Sequence, residues 1–138
     1  MAAFFPTYAI FRAAGARFKG LTAGFGYNTG VGGTVTQITN RTTGVTLSKL
    51  CGTITTDSTS LAAEGTADFV VTNTTVAATD VVVVSIKSGS TSGGTIVSVA
   101  TVGAGSFTIR VHNGNVAAGT AEIGAILINF VVIKSVAA

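Results

Sequence analysis

The last long apolar run of the chain, Gly124 to Ile133, alternates with a period of two. Ile126, Ile128, Phe130 and Val132 fall on one face, and Ala125, Leu127, Asn129, Val131 and Ile133 on the other. Apart from Asn129, both faces are apolar. Burial of a large aliphatic side chain is worth roughly 1.5–3 kcal/mol, so leaving the second face in water would forfeit an amount comparable with a whole domain's net stability. The run is too short for a membrane-spanning helix, which needs about 20 apolar residues, and its β-branched content favours a strand. We therefore expect a strand covered on both sides. Its own domain covers one side, and a second copy of the chain covers the self-association side formed by Leu127, Asn129, Val131 and Ile133.

Upstream, short alternating runs are separated by turn residues. Val35 and Gln37 alternate with Thr34 and Thr36, Val45 and Leu47 follow a Thr42-Thr43-Gly44 turn, and Cys51 to Thr55 forms a third run. Thr66 to Thr72 alternates around Ala67, Phe69 and Val71, and Val81 to Ile86 is a continuous β-branched run suited to burial on both faces. Ile96 to Val102 and Ser106 to His112 flank Gly103-Ala104-Gly105, the second with Phe107, Ile109 and Val111 inward and Thr108, Arg110 and His112 outward. Asn113-Gly114 is a turn signal, and Lys87 to Gly94 is a Ser/Gly loop at an outer tip. About eight strands at this spacing predict an all-β, antiparallel β-sandwich over residues 31–138, of jelly-roll or immunoglobulin-like topology.

Residues 1–30 differ from this body. Seven of the ten aromatic residues lie before Asn28, among them Phe4, Phe5, Tyr8, Phe11 and Phe18, and Arg12, Arg17 and Lys19 are present with no acid in the first 20 residues. A short helix from Pro6 to Ala14 would put Phe4, Tyr8 and Phe11 near one face, and the glycines between Gly20 and Gly33 would supply slack. Charges that follow the apolar stretch, and Pro6 within it, argue against a secretory leader. The expectation is an N-terminal aromatic and basic arm whose Phe4, Phe5, Tyr8, Phe11, Arg12, Arg17, Phe18 and Lys19 anchor an interface.

Composition sharpens this picture. Of 138 residues, 47% are hydrophobic and only 9% charged, against a usual quarter, so the mean hydropathy reaches +0.64. Such a surface suits a subunit of an assembly. The net charge of +3 resides in the first 20 residues, because five cations balance five acids beyond them. Eight dispersed cations make no basic stripe, which argues against nucleic-acid binding. Cys51 is the only cysteine, which excludes an intramolecular disulfide and cysteine-rich zinc sites and is read as an inert buried thiol. His112, the only histidine, has no evident base partner and is read as solvated. Asp57, Glu64, Asp68 and Asp80 lack calcium-loop spacing, and Glu64 with Asp68 would share a face only on a helix. No catalytic, cofactor or metal residue is expected, and the Asn40 and Asn73 sequons matter only in a secreted eukaryotic protein.

The stretches Gly32-Gly33-Thr34-Val35-Thr36-Gln37, Arg41-Thr42-Thr43-Gly44-Val45-Thr46-Leu47 and Cys51-Gly52-Thr53-Ile54-Thr55 resemble small virion proteins of tailed bacteriophages. So do Ala104-Gly105-Ser106-Phe107-Thr108-Ile109, Ala117-Ala118-Gly119-Thr120-Ala121-Glu122 and Ile128-Asn129-Phe130. The likeness runs from about Gly30 to Lys134 and leaves out the arm. It implies a virion structural protein assembled in the bacterial cytoplasm, a capsid decoration (cement) protein that stabilises the head shell as a homotrimer. Its partners would be the major capsid protein or neighbouring virion subunits, with no membrane involved. The alternative is a tail-fibre or head-fibre component that binds a host cell-surface glycan through the loops Lys87 to Gly94 and Asn113 to Thr120. Those loops carry no aromatic ring on which a sugar could stack.

Overall fold

A computed structural model describes residues 26–28 and 30–135. The Pro6 to Ala14 helix and the arm residues Phe4, Phe5, Tyr8, Phe11, Arg12, Arg17, Phe18 and Lys19 lie outside the described residues. Thr- and Val-rich alternation interrupted by Gly, Asn and Ser builds strands and no helix within them. The eight strands are β1 (Gly32–Thr36), β2 (Val45–Thr46), β3 (Cys51–Thr55), β4 (Thr66–Thr72), β5 (Val81–Ser88), β6 (Thr95–Gly103), β7 (Ser106–Asn113) and β8 (Leu127–Ile133).

They form two four-stranded sheets. Sheet A has the order β1-β3-β8-β5 and sheet B the order β2-β4-β7-β6. Every connection crosses from one sheet to the other except the β6–β7 hairpin. The expected purely antiparallel arrangement is corrected here, because β1 runs parallel to β3 and β2 parallel to β4, which makes both sheets mixed. A parallel neighbour needs a crossover connection, and the β1-to-β3 path obtains one by visiting sheet B at β2.

The layers meet through one core. Ile54, Ile128, Phe130, Val132 and Val82 of sheet A face Val45, Phe69, Val71, Phe107, Ile109 and Val111 of sheet B. Phe107 and Phe130 touch across the gap with ring centroids 5.5 Å apart, tilted by 49°. Register accounts for this division. Ile54 pairs with Ile128 and Gly52 with Phe130, while Phe69 pairs with Ile109 and Val71 with Phe107, so each inward residue lies beside an inward neighbour. β5 departs from the sequence expectation of burial on both faces. It is an edge strand, and Val81 and Val83 point outward at 52% and 46% exposure while Val82 is buried.

Candidate functional site

All the loops at one end of the molecule converge on two buried charges that arrive from different connections. Glu122, fully buried between β7 and β8, pairs with Leu61 through two main-chain hydrogen bonds of 2.8 and 2.9 Å. Its carboxylate accepts from Ser90 Oγ (2.7 Å), Thr91 Oγ1 (2.7 Å), Thr95 Oγ1 (2.6 Å), Thr91 N (3.0 Å), Ser92 N (3.2 Å) and Gly124 N (2.7 Å). Burial disfavours the charge, but the Thr95, Ser90 and Thr91 hydroxyls and the Thr91 amide outweigh it and hold the carboxyl far below the usual range. The Ser/Gly tip between β5 and β6 is therefore fixed from outside by a single anion.

Arg41 complements it from the β1–β2 loop. The guanidinium donates to Thr56 Oγ1 at 3.2 Å, Glu122 O at 3.2 Å, Gly124 O at 2.7 Å and Thr59 O, bracing main-chain carbonyls instead of a carboxylate. Burial pulls its pKa down, opposed by the charges of Glu122 and Asp57. Gln37 Nε2 donates to Thr43 O at 2.7 Å, and Asn113 Nδ2 donates to Thr120 O at 2.8 Å. Every fully buried side-chain nitrogen and oxygen among the described residues has a hydrogen-bond partner. This end is a braced frame, and its hydroxyls point inward. The backbone is equally tight there, since a Cβ on Gly124 would lie 1.9 Å from the Gly89 carbonyl oxygen.

The outer face of sheet A is different. Residues facing away from the core form one polar row, Thr34, Thr53, Asn129 and Ser85, and an apolar half made by Cys51, Val131, Val83, Val81 and Ile133. Thr53 Oγ1 lies 2.8 Å from Asn129 Oδ1. Of the self-association residues, Leu127, Asn129 and Val131 are half-buried and Ile133 is 49% exposed. Tyr27 rests on this face, and its hydroxyl donates to the Val132 carbonyl just past the last β3–β8 pair. Gly26, Tyr27, Val131, Ile133 and Lys134 line a depression of about 430 Å³. Cys51, expected to be buried, is half-exposed here because outward-facing β3 residues have only β1 and β8 beside them.

The outer face of sheet B mixes polar residues with the exposed Val70 and Ile96. Arg110 and Asp68 form a two-point ion pair at 2.8 and 2.7 Å, and the Arg110 hydrogen bonds hold the Asp68 carboxyl below its usual range. His112 is half-buried on this outward face and lies 3.1 Å from Thr66 Oγ1.

The acidic residues weighed for metal or glycoside chemistry are dispersed. Asp57 accepts from Thr59 within its own loop, Glu64 occupies a left-handed turn with φ of 59°, and Asp68 lies on the sheet B face. Asp80, at the opposite end, accepts from Ala77 N at 2.8 Å and pairs with Lys134; these contacts lower its pKa. Among the described residues no three His, Cys, Asp or Glu side chains gather as a metal site. Asn73 is fully buried and bonded to Lys49 O at 2.7 Å, so its sequon is closed in the folded protein. Sequence reading missed the Arg41–Glu122 frame. The one available signal was charge scarcity, which makes each isolated charge in a Thr/Ala/Gly stretch a candidate for an internal role.

Comparison with family models, curated proteins and solved structures finds no match.

Proposed function

We propose that the protein is a structural subunit of a bacteriophage virion, a capsid decoration (cement) protein that binds and stabilises the head shell as a homotrimer. The observation that carries this reading is the surface. Among the described residues, Tyr27, Ile38, Val70, Val81, Val83, Ile96, Val116, Ile123 and Ile133 are exposed large apolar side chains on a body with very few charges. They occur on both sheet faces and on the braced loops, which is the dispersion expected of a subunit with several neighbours. Five of the seven buried polar residues among those described, Gln37, Arg41, Thr56, Asn113 and Glu122, serve the frame, which suits a part that resists load. The resemblance to tailed-phage virion proteins supplies the setting.

The host-glycan reading of a tail or head fibre gains less. Its loop Lys87 to Gly94 directs the Ser90 and Thr91 hydroxyls at Glu122, away from any ligand, and offers no ring for stacking. Purified virions, fractionated into heads and tails, separate the two. The cement reading expects a copy number matching that of the shell subunit, and a few copies confined to the tail would refute it. Removal of Met1 to Lys19 is expected to leave a folded trimer that no longer attaches to shells. Undiminished decoration by that variant would remove the arm from the mechanism.

A further inference from the structure

The end of β7 carries a reactive linkage. Of the asparagines in the chain, only Asn113 is followed by glycine. Glycine has no side chain to keep its amide nitrogen away from the preceding side-chain carbonyl carbon. In an open chain the Gly114 nitrogen therefore attacks Asn113 Cγ. The new N–Cγ bond replaces Cγ–Nδ2, the Gly114 amide proton passes to the departing nitrogen, and ammonia leaves. Water then opens the five-membered imide at either carbonyl. The products are aspartate at position 113 and its isomer, in which the main chain runs through the side chain.

The fold ties down both reacting groups. Asn113 is fully buried, and its Nδ2 donates to Thr120 O at 2.8 Å, Leu61 O at 3.1 Å and Ala62 O at 3.2 Å. Its Oδ1 accepts from Asn115 N and Asn115 Nδ2, both at 3.3 Å. The nucleophile is engaged as well, because Gly114 N donates to Gly94 O at 3.0 Å. Gly94 lies in the tip that Glu122 grips through Thr91, Ser92 and Thr95, and Asn115 Nδ2 donates to Ser92 O at 2.7 Å. Leu61 is itself paired with the Glu122 main chain. Separate loops of the braced end thus hold the amide and its attacker apart.

We propose that Asn113-Gly114 is a deamidation site which the braced frame keeps unreacted, and that its modification in an opened chain bars return to the fold. A carboxylate has no hydrogen to donate. It would face the Thr120, Leu61 and Ala62 carbonyls, acceptor against acceptor, with an added negative charge in a buried place. The isomer adds a carbon to the main chain just where Gly114 N must meet Gly94 O. Each long opening therefore removes chains permanently, whatever setting the protein works in.

The test incubates the full chain in mildly alkaline buffer, folded and in guanidinium chloride, and follows position 113 by peptide mass mapping. Conversion is expected to be slower in the folded protein by on the order of a hundredfold or more, because only the minor opened population reacts. Equal rates would overturn the proposal. Chains aged in denaturant are then returned to native buffer, and the folded and unfolded fractions are mapped separately. The folded fraction should retain asparagine, and an even spread of converted chains would overturn the bar to refolding. Gly114→Ala, scored only in denaturant, should slow conversion severalfold, and an unchanged rate would exclude the Gly114 nitrogen as the attacker. Asn113→Asp supplies the acid without the isomer and should not reach the native fold at neutral pH. A wild-type denaturation midpoint for that variant would overturn the clash of acceptors.

Discussion

Glu122 shows how a single residue can fix a loop that lacks structure of its own. Six donors surround its carboxylate, and each depends on the anion accepting from several directions at once. Glu122→Gln would replace one acceptor oxygen with an NH₂ that faces other donors. The expected loss is about 2–4 kcal/mol, as for other broken buried networks, measured as a lower urea midpoint. Because the folded pKa lies below the usual carboxylate range, the contribution is complete above about pH 5 and is lost as pH falls toward the folded pKa. Asp80, Asp68 and Asp57 are shifted in the same direction by their hydrogen bonds. Thermal stability should therefore hold from neutrality to about pH 5 and decline below it, with the gap between wild type and Glu122→Gln narrowing on the way. A gap that stays constant down to about pH 2 would show that the charge is not what holds the tip.

Among the elements, β1 depends most on close approach. A Cβ on Gly52 would stand 2.5 Å from the Gly33 carbonyl oxygen and 3.0 Å from both Leu47 Cδ2 and Phe130 Cε1, so backbone and core crowd the same point. Gly52→Ala should push β1 away from β3 at a loss of about 1–3 kcal/mol. Hydrogen exchange should accelerate in β1 and at the Gln37 amide, which bonds Thr55 O at 2.9 Å, before it does in β5. Wild-type protection in the variant would contradict this crowding. The same elements show what could be read from the sequence. Alternation revealed β4, β7 and β8 and their inward residues, because period-two burial is written locally. It did not reveal the parallel pairing of β1 and β2, since two glycines in one and two residues in the other carry no mark of direction. The Val81 to Ile86 run also misled, because a greasy outward face indicates that something covers it but not whether that cover comes from the same sheet stack. The partners of Glu122 lie some 30 residues back in sequence, beyond the reach of local pattern.

At the scale of the molecule, the chain closes each sheet late. β8, the last strand, lies between β3 and β5, and β7 lies between β4 and β6, so neither sheet is continuous until these strands arrive. β8 also supplies Phe130, which meets Phe107 across the layers, and Ile128 and Val132, both fully buried. Without it, β3 and β5 have no neighbour in common and half the core loses its cover. Pairing between Thr53 and Asn129 joins residues far apart in sequence, and contacts of that kind slow folding to milliseconds or longer in all-β proteins. A chain ending at Ile123 is therefore expected to lack fixed tertiary structure, with collapsed methyl dispersion in its proton NMR spectrum. Adding the synthetic segment Gly124–Ala138 should restore that dispersion, because it supplies the strand that β3 and β5 both pair with and so lets sheet A form. A dispersed spectrum from the shortened chain alone would show that sheet B and the braced loops can stand without sheet A, and the two layers would then have to be treated as separately stable.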